Sequence, residues 1–274
     1  MKKTSLLVAF AISGGILFGQ SQRFVVIEHF TQASCGPCAS ANPGFQSLMV
    51  ANATKAIGIR FQVSWPGTDP MNAQNKTEVG SVVSYYGISG VPDETQDGKN
   101  TSVTQSTINT EYAVASPFSM KLDYWFNTAN DSIFINCDVA CSKAVTLTTP
   151  KLRVAMLEKT ITFTSAPGSN GEKVFYNVLR KMFASPSSAN NAGGTVLPTS
   201  WTVGQTQTFK FKDKIPTYIY KKTEIATVAW IQDDGGKVIQ QGVFSPTPNN
   251  ATSVIDMTAI NNLNIFTKLD SILL

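Results

Sequence analysis

The chain has 274 residues, of which 42% are hydrophobic and 15% are charged, so it can bury a core and is not a disordered tail. Its net charge of +4 comes from 22 basic and 18 acidic residues without a basic run suited to phosphates, which argues against a nucleic-acid partner. A single histidine excludes a metal site built on several histidines, and four cysteines are too few for a disulfide scaffold.

Residues 1–19 predict a secretory signal peptide. Lys2 and Lys3 precede an apolar run over Leu6–Phe18, and cleavage after Gly19 would leave a mature chain of residues 20–274. A retained membrane anchor is the alternative, although the run is short and rich in glycine for a bilayer span. Export predicts an oxidising location in the periplasm, in the outer membrane or at the cell surface, where cysteine pairs form disulfides.

Residues 20–116 alternate between strand and helix patterns in the order β-α-β-α-β-β-α, which predicts an α/β domain. Gly87 predicts the end of a helix, and Asp97-Gly98 predicts a hairpin turn. The clearest predicted elements are strands over 24–27 and 56–63 and helices over 39–51, 71–86 and 102–115.

Composition changes at Pro117, and residues 117–247 contain short alternating segments with polar turns, which predict a β-sandwich. Asp233–Gly236 is a hairpin signal between the last two strands. The segment Phe175–Ala192 is expected to be a long connection, and residues 248–274 a tail or linker. The predicted strands cover 119–126, 132–140, 152–157, 206–211, 225–231 and 237–243.

Cys35-Gly36-Pro37-Cys38 carries the most chemical information. The motif follows a hydrophobic strand and begins a predicted helix, where free N–H groups and the helix dipole favour a thiolate. Cys35 is therefore the expected nucleophile, and Cys38 lies close enough on the same helical face to resolve a mixed disulfide. A bridge that closes so short a loop constrains the unfolded chain little, so a redox role is favoured over a structural one.

Two alternatives to a redox pair stay open, a zinc half-site and a redox-inert bridge. Zinc would require Cys137 and Cys141, which lie four residues apart in a predicted strand and so about 13 Å from each other. We expect these two cysteines to be core thiols that pack like small hydrophobic residues. The sequence predicts no metal and no bound cofactor.

The CGPC motif together with Gly90-Val91-Pro92 resembles the thioredoxin superfamily over about residues 23–115. The resemblance implies that Pro92 is cis and that its loop faces the cysteines, where the backbone of Val91 pairs with an extended substrate peptide. Two positions depart from the pattern. Ser34 stands where thioredoxins usually have tryptophan, and His29 stands where they have a buried aspartate that helps to deprotonate the second cysteine.

A narrower resemblance depends on four segments in order: Ile27–Thr31, Asp69-Pro70, Asn177–Arg180 and the hairpin over Val228–Gln240. Together they are similar to exported Bacteroidetes proteins related to a 28-kilodalton outer-membrane protein. This resemblance implies a thioredoxin-like domain over 20–116 followed by an immunoglobulin-like β-sandwich over 117–247. It also implies association with the cell envelope. Many such proteins end in a sorting domain, whose motif is absent from this chain.

Two residues of the first predicted strand carry further expectations. His29 is a candidate proton acceptor for Cys38 because an unperturbed imidazole titrates near neutral pH, and the alternative is a buried packing role. Glu28 alternates with it and is expected to be solvated or to cap a loop.

The predicted function is thiol–disulfide exchange with cysteine-containing protein substrates and a redox partner protein. Cys35 attacks, Cys38 resolves and His29 assists, while four residues are expected to contact the substrate: Val91, Pro92, Gly36 and Pro37. The alternative is an envelope or surface binding protein whose β domain binds the partner and whose CGPC motif is not catalytic. The redox direction and the substrate do not follow from the sequence.

Overall fold

The computed structural model describes residues 20–249, so the predicted signal peptide and most of the predicted tail lie outside the described residues. Within this range the chain is a mixed α/β structure with large sheets and few helices. No helix between residues 20 and 249 is long and apolar enough to cross a membrane.

The first part of the chain forms the helices and four short strands. Its elements are β1 (Val25–Thr31), α1 (Gly36–Ala51), β2 (Ala56–Gln62), α2 (Pro70–Gln74), α3 (Lys76–Tyr86), β3 (Asp93–Gln96), β4 (Lys99–Asn100) and α4 (Gln105–Tyr112). Gly87 ends α3 in the left-handed conformation (φ 72°), as predicted. Asp97 and Gly98 also have positive φ values of 47° and 77° and form the predicted hairpin turn.

The single helix predicted over 71–86 is divided in two at Asn75. This residue has φ −144° and ψ 47°, which is not helical, and its side-chain amide donates to Glu78 Oε2 at 3.0 Å. Asp69 begins the first of the two helices by accepting the N–H groups of Met71 and Asn72. The non-helical backbone of Asn75 therefore interrupts a segment whose apolar spacing alone is continuous.

The second part of the chain is composed of strands and one 3-10 turn over Lys222–Glu224. Its strands are β5 (Phe118–Phe126), β6 (Ser132–Cys141), β7 (Val145–Thr146), β8 (Pro150–Thr162), β9 (Val174–Phe183), β10 (Thr195–Val196), β11 (Ser200–Trp201), β12 (Thr206–Lys214), β13 (Ile225–Asp233) and β14 (Val238–Ser245). The predicted hairpin at Asp233–Gly236 joins β13 to β14.

One nine-stranded sheet contains strands from both parts of the chain. Its order is β14-β13-β8-β9-β2-β1-β3-β4, with β10 paired to β8. β1 is parallel to β2 and antiparallel to β3, and β3 is antiparallel to β4. The two parts meet where β2 lies parallel to β9, at Arg60 and Val178. The strand that follows the cysteine helix, β2, is therefore hydrogen-bonded to a strand of the later β-rich segment.

A three-stranded sheet in the order β12-β6-β5 packs against the nine-stranded sheet. Alternate residues of β6 are buried, as expected for a strand with one face on a core. Cys137 and Cys141 lie on that buried face as free thiols, which confirms the expectation of core cysteines. Burial raises the pKa of Cys137 to about 12, so this thiol is not a nucleophile near neutral pH.

The prediction of a long connection over Phe175–Ala192 is wrong, because β9 occupies its first part as an inner strand of the large sheet. Polar residues within the strand hid its pattern. Arg180 is fully buried, and its Nε lies 3.0 Å from Oε2 of the equally buried Glu158. Burial lowers the pKa of Arg180 and raises that of Glu158. A charged side chain can be buried inside a strand only if an oppositely charged partner offsets its desolvation, and the sequence does not show that partner.

The expectation of a solvated Glu28 is also wrong. All seven residues of β1 are buried, and Glu28 is 1% exposed. Its carboxylate accepts the Thr95 hydroxyl at 3.0 Å, and the Tyr86 hydroxyl is a second donor. Burial raises the pKa of Glu28 to about 7 in spite of these hydrogen bonds. Both faces of β1 are covered, so alternation along this strand does not separate buried from solvated positions.

Candidate functional site

Cys35 and Cys38 form a disulfide at the N-terminus of α1. Cys35 is the N-cap, and its Sγ accepts the N–H of Cys38 at 3.1 Å. Cys35 is 2% exposed and Cys38 is fully buried, whereas Gly36 and Pro37 between them are exposed. The exposed surface next to the sulfur atoms is therefore the Gly36-Pro37 turn, and the Cys38 N–H at the helix start is directed at Cys35 Sγ.

The loop before β3 lies against the disulfide. The peptide bond between Val91 and Pro92 is cis, as the resemblance implied. The carbonyl oxygen of Val91 is 3.6 Å from Cys35 Sγ. Val91 and Pro92 are both half-buried, so part of their backbone remains at the surface. The structure thus brings Cys35 and the four residues predicted to contact a substrate to one small area.

His29 lies on β1 and is fully buried, with its ring stacked on Phe45 at a centroid distance of 4.1 Å. Its Nε2 is 2.8 Å from Asn42 Oδ1, and its Nδ1 is 3.1 Å from Glu94 Oε1. Both ring nitrogens therefore lie within hydrogen-bond distance of a side-chain oxygen. Neither of these partners is Cys38. Proton acceptance by His29 stays a prediction.

Asn42 connects His29 to the cysteine helix and to the later part of the chain. It lies four residues after Cys38 and so on the same face of α1. Its Nδ2 donates to Thr31 Oγ1 at 3.1 Å and to Glu172 Oε1 at 2.8 Å, which leaves Oδ1 for His29. One buried amide thus joins β1, the second turn of α1 and a residue more than a hundred positions away.

The loop between β8 and β9, residues 163–173, covers one side of the cysteine motif. The backbone N–H of Asn170 donates to the Ala33 carbonyl at 3.2 Å. The Asn170 side-chain amide donates to the Cys35 carbonyl at 3.2 Å and to Glu172 Oε2 at 2.6 Å. The 163–173 loop is therefore hydrogen-bonded to the backbone of Cys35 itself.

Ser34 shows why a small side chain precedes the motif. Its hydroxyl donates to the Thr68 carbonyl at 2.7 Å and accepts the Ser169 N–H at 3.0 Å. Gly168 packs so closely that a Cβ there would lie 2.2 Å from the Ala33 carbonyl oxygen. Ser34 therefore joins two loops, the one that contains Thr68 and the 163–173 loop, at the position where thioredoxins usually have tryptophan.

Asp69 supports the same segment from the other side. Its carboxylate accepts the Ala33 N–H at 2.9 Å while also capping α2 through the Met71 N–H at 2.8 Å. Burial raises the pKa of Asp69, and the backbone donors counteract that rise. The residues just before Cys35 are thus held between the cap of α2 and the 163–173 loop.

A cavity of about 410 Å³ lies beside α1, next to Asn42 and Glu172. Arg60 contributes to its wall, and burial lowers the pKa of this guanidinium to about 10, with the charge of Glu172 acting in the opposite direction. Among residues 20–249, no group of three or more histidine, cysteine, aspartate or glutamate side chains is placed to hold a metal ion.

Sequence reasoning missed four residues around the disulfide: Asn42, Asp69, Asn170 and Glu172. The spacing of four between Cys38 and Asn42 was a usable signal, because it places both on one helical face. Asp69 before Pro70 was a recognisable helix cap. Asn170 and Glu172 gave no signal, since their role depends on a contact between distant parts of the chain.

No protein-family model and no curated protein matches the chain. Its fold is similar to that of HBP35 of Porphyromonas gingivalis, with a TM-score of 0.66, 14% identity, and 86% of this chain and 80% of that chain covered. A structural-genomics protein of Agrobacterium tumefaciens gives a TM-score of 0.51 at 14% identity, with coverage of 85% and 97%. A domain of the outer membrane lipoprotein Omp28 from Porphyromonas gingivalis gives only 0.31 at 12% identity, with coverage of 48% and 89%. The likeness to the first two is one of fold.

Proposed function

We propose that this protein is an exported thiol–disulfide oxidoreductase that exchanges disulfides with cysteine-containing proteins through Cys35 and Cys38. The observation that carries the proposal is the position of the disulfide. It lies at the start of α1, with Cys35 Sγ accepting a helix N–H and lying 3.6 Å from the Val91 carbonyl beside the cis Pro92. This is a nucleophile position with a backbone surface next to it for an extended peptide.

The reaction in the reducing direction has two exchange steps. The Cys35 thiolate attacks a substrate disulfide, which forms a mixed disulfide and releases one substrate thiolate. The Cys38 thiolate then attacks Cys35 Sγ, re-forms the Cys35–Cys38 bond and releases the second substrate thiolate. Two electrons pass to the substrate, and a redox partner protein restores the dithiol. No bound cofactor takes part. In the oxidising direction the same steps run backwards.

Strand order supports a thioredoxin-like first part. Helix α1 connects the parallel strands β1 and β2. After the cis proline, β3 and β4 continue the sheet as an antiparallel hairpin. The three-stranded sheet packed on β8 and β13 supports an immunoglobulin-like β-sandwich as the second part. The fold likeness to HBP35 extends over most of this chain and so includes both parts. The signal sequence favours the periplasm, the outer membrane or the cell surface.

The experiment that tests the function traps the mixed disulfide. Cys38→Ser should accumulate covalent complexes with protein substrates in the native envelope, because Cys35 still attacks and no thiol resolves the bond. Cys35→Ser should accumulate few or none. Acid quenching followed by non-reducing gels measures the complexes, and dithiothreitol should abolish them.

Cys137→Ser is the matched control, because it removes a buried thiol and keeps the motif intact. Purified wild-type protein should in addition accelerate insulin reduction by dithiothreitol. Equal high-mass bands from Cys35→Ser and Cys38→Ser would indicate unspecific trapping. An absence of bands from both variants, together with no acceleration of insulin reduction, would refute the proposed function.

One observation favours the second candidate, an envelope or surface binding protein whose β domain binds the partner. Cys35 is only 2% exposed, and the 163–173 loop is hydrogen-bonded over one side of the motif. A disulfide covered in this way could stabilise a local structure without exchanging with substrates. The trapping experiment separates the two candidates, since a binding protein forms no complexes that depend on Cys35.

A further inference from the structure

We propose that Glu172, a residue of the 163–173 loop, lowers the reduction potential of the Cys35–Cys38 pair by placing a negative charge beside the first two turns of α1. The inference rests on the proposed function in one respect, that the pair is redox-active. It assigns to the β-rich part of the chain a role in setting the chemistry of the cysteines.

Two asparagine side chains hold the carboxylate in place. Glu172 Oε2 accepts Asn170 Nδ2 at 2.6 Å, and the same amide donates to the Cys35 carbonyl at 3.2 Å. Glu172 Oε1 accepts Asn42 Nδ2 at 2.8 Å, and Asn42 lies one turn after Cys38 on α1. Through Asn170 the carboxylate is therefore connected to the backbone of Cys35, and through Asn42 it is bonded to α1 one turn after Cys38.

Opposite electrostatic influences then act on the reduced form. The free N–H groups at the start of α1 stabilise a Cys35 thiolate, and the nearby carboxylate of Glu172 destabilises it by repulsion. The disulfide carries no charge and is not affected in the same way. Because Glu172 raises the free energy of the reduced form selectively, the pair becomes more reducing. Removing the charge should have the reverse effect.

Other charged groups near the motif have different partners. Arg60 lies in the same cavity wall as Glu172, and its positive charge offsets part of the charge of that carboxylate. Its guanidinium donates to the Tyr176 carbonyl at 2.8 Å and to Gln46 Oε1 at 2.9 Å. Asp69 also contacts the segment before Cys35, and its carboxylate is compensated by three backbone N–H groups.

On the other side of Asn42, the ring of His29 lies between this amide and the carboxylate of Glu94. Glu94 therefore has the His29 ring as its direct hydrogen-bond partner. Glu172 is bonded to neutral amides, and it is the acidic side chain through which the 163–173 loop reaches the motif.

The test measures the redox equilibrium of Glu172→Gln with glutathione. Each Cys35–Cys38 bond that is reduced consumes two glutathione thiols and forms one glutathione disulfide, so the equilibrium constant reports the two-electron couple. We expect the variant to favour the reduced form about tenfold more than the wild type, which corresponds to about 30 mV. The pKa of the Cys35 thiol, followed by its absorbance as a thiolate, should fall in the same variant.

Two further variants separate charge from geometry. Glu172→Asp keeps the charge while it alters the contacts, and its potential should stay near that of the wild type. Asp138→Asn removes a carboxylate from the three-stranded sheet and should leave the potential unchanged.

An unchanged or lowered potential in Glu172→Gln would overturn the inference, and so would an equal shift in Glu172→Asp. Glu172→Ala replaces Glu172→Gln if the new amide, facing Asn42 and Asn170, prevents folding. The potential can be measured whether or not the protein acts on protein substrates. A failed trapping experiment would therefore refute the proposed function and leave this inference to its own result.

Discussion

Glu28 should make the folded protein less stable as the pH rises through neutrality, and Glu28→Gln should remove that dependence. The side chain is 1% exposed on β1, and burial raises its pKa from 4.5 to about 7. A carboxyl group whose pKa is higher in the folded state binds its proton more tightly there than in the unfolded chain. Its contribution to stability is therefore complete below pH 4.5 and is lost as the pH rises through about 7.

The magnitude follows from the two pKa values. Each unit of difference corresponds to about 1.4 kcal/mol, so the rise of Glu28 from 4.5 to about 7 corresponds to about 3 kcal/mol between pH 4.5 and pH 8. Glutamine has a similar shape and no charge, and it still offers a carbonyl oxygen to the Thr95 hydroxyl. The stability of Glu28→Gln relative to wild type should thus improve by about 3 kcal/mol across that range.

The assay is urea unfolding of the oxidised protein, followed by tryptophan fluorescence at several pH values between 4.5 and 8. Asp97, whose pKa burial raises to about 6, acts in the same direction in both proteins, so only the difference between them is interpreted. Asp131→Asn is the control, because this exposed carboxyl has a lowered pKa and titrates below the range. A difference between wild type and Glu28→Gln that is independent of pH, or that grows in the opposite direction, would refute the reasoning.

Two further predictions concern the surroundings of the disulfide. In Gly168→Ala the new Cβ would lie 2.2 Å from the Ala33 carbonyl oxygen, so the 163–173 loop should shift. Glutathione should then reduce the disulfide faster. Because three hydrogen bonds of the loop are weakened, the free energy of unfolding should fall by up to about 3 kcal/mol. Gly193→Ala, where a Cβ meets open space, should change neither quantity, and equal reduction rates in both variants would contradict the prediction. His29→Ala should slow release of the mixed disulfide more than its formation if His29 takes the Cys38 proton, which acid-quench kinetics can measure; equal slowing of both steps would leave His29 a packing residue.

Local signals in the sequence were sufficient for the elements around the motif. The cysteine spacing, the strand before it and Gly87 after α3 depend on backbone preferences within a few residues, and the structure has each of them. The separation of strands by turn residues was equally local, so the hairpin between β13 and β14 was predicted correctly. These features need no knowledge of which distant segments meet.

Failures occurred where a distant partner changes the meaning of a residue. Arg180 appeared to belong to a polar connection, yet with Glu158 as its ion-pair partner it lies inside β9. Glu28 appeared to be a solvated position, yet β3 supplies Thr95 as a donor and covers the carboxylate. In both cases the residue is polar, as its sequence says, but a neighbouring strand buries it. The local sequence pattern does not show which strand that neighbour is.

The contact between the two parts of the chain, the pairing of β2 with β9, could not be predicted from local patterns for the same reason. Single-sequence patterns change at Pro117, but β9 lies beside β2, and this pairing brings the loop before β9 to the start of α1. Asn170 and Glu172 then contact the motif because the shared sheet fixes the distance between β9 and the cysteine helix. A β-rich part attached only through a flexible linker could not hold a carboxylate at a constant position beside a thiol. The shared sheet is therefore the structural reason why residues so far along the chain can influence the chemistry of Cys35.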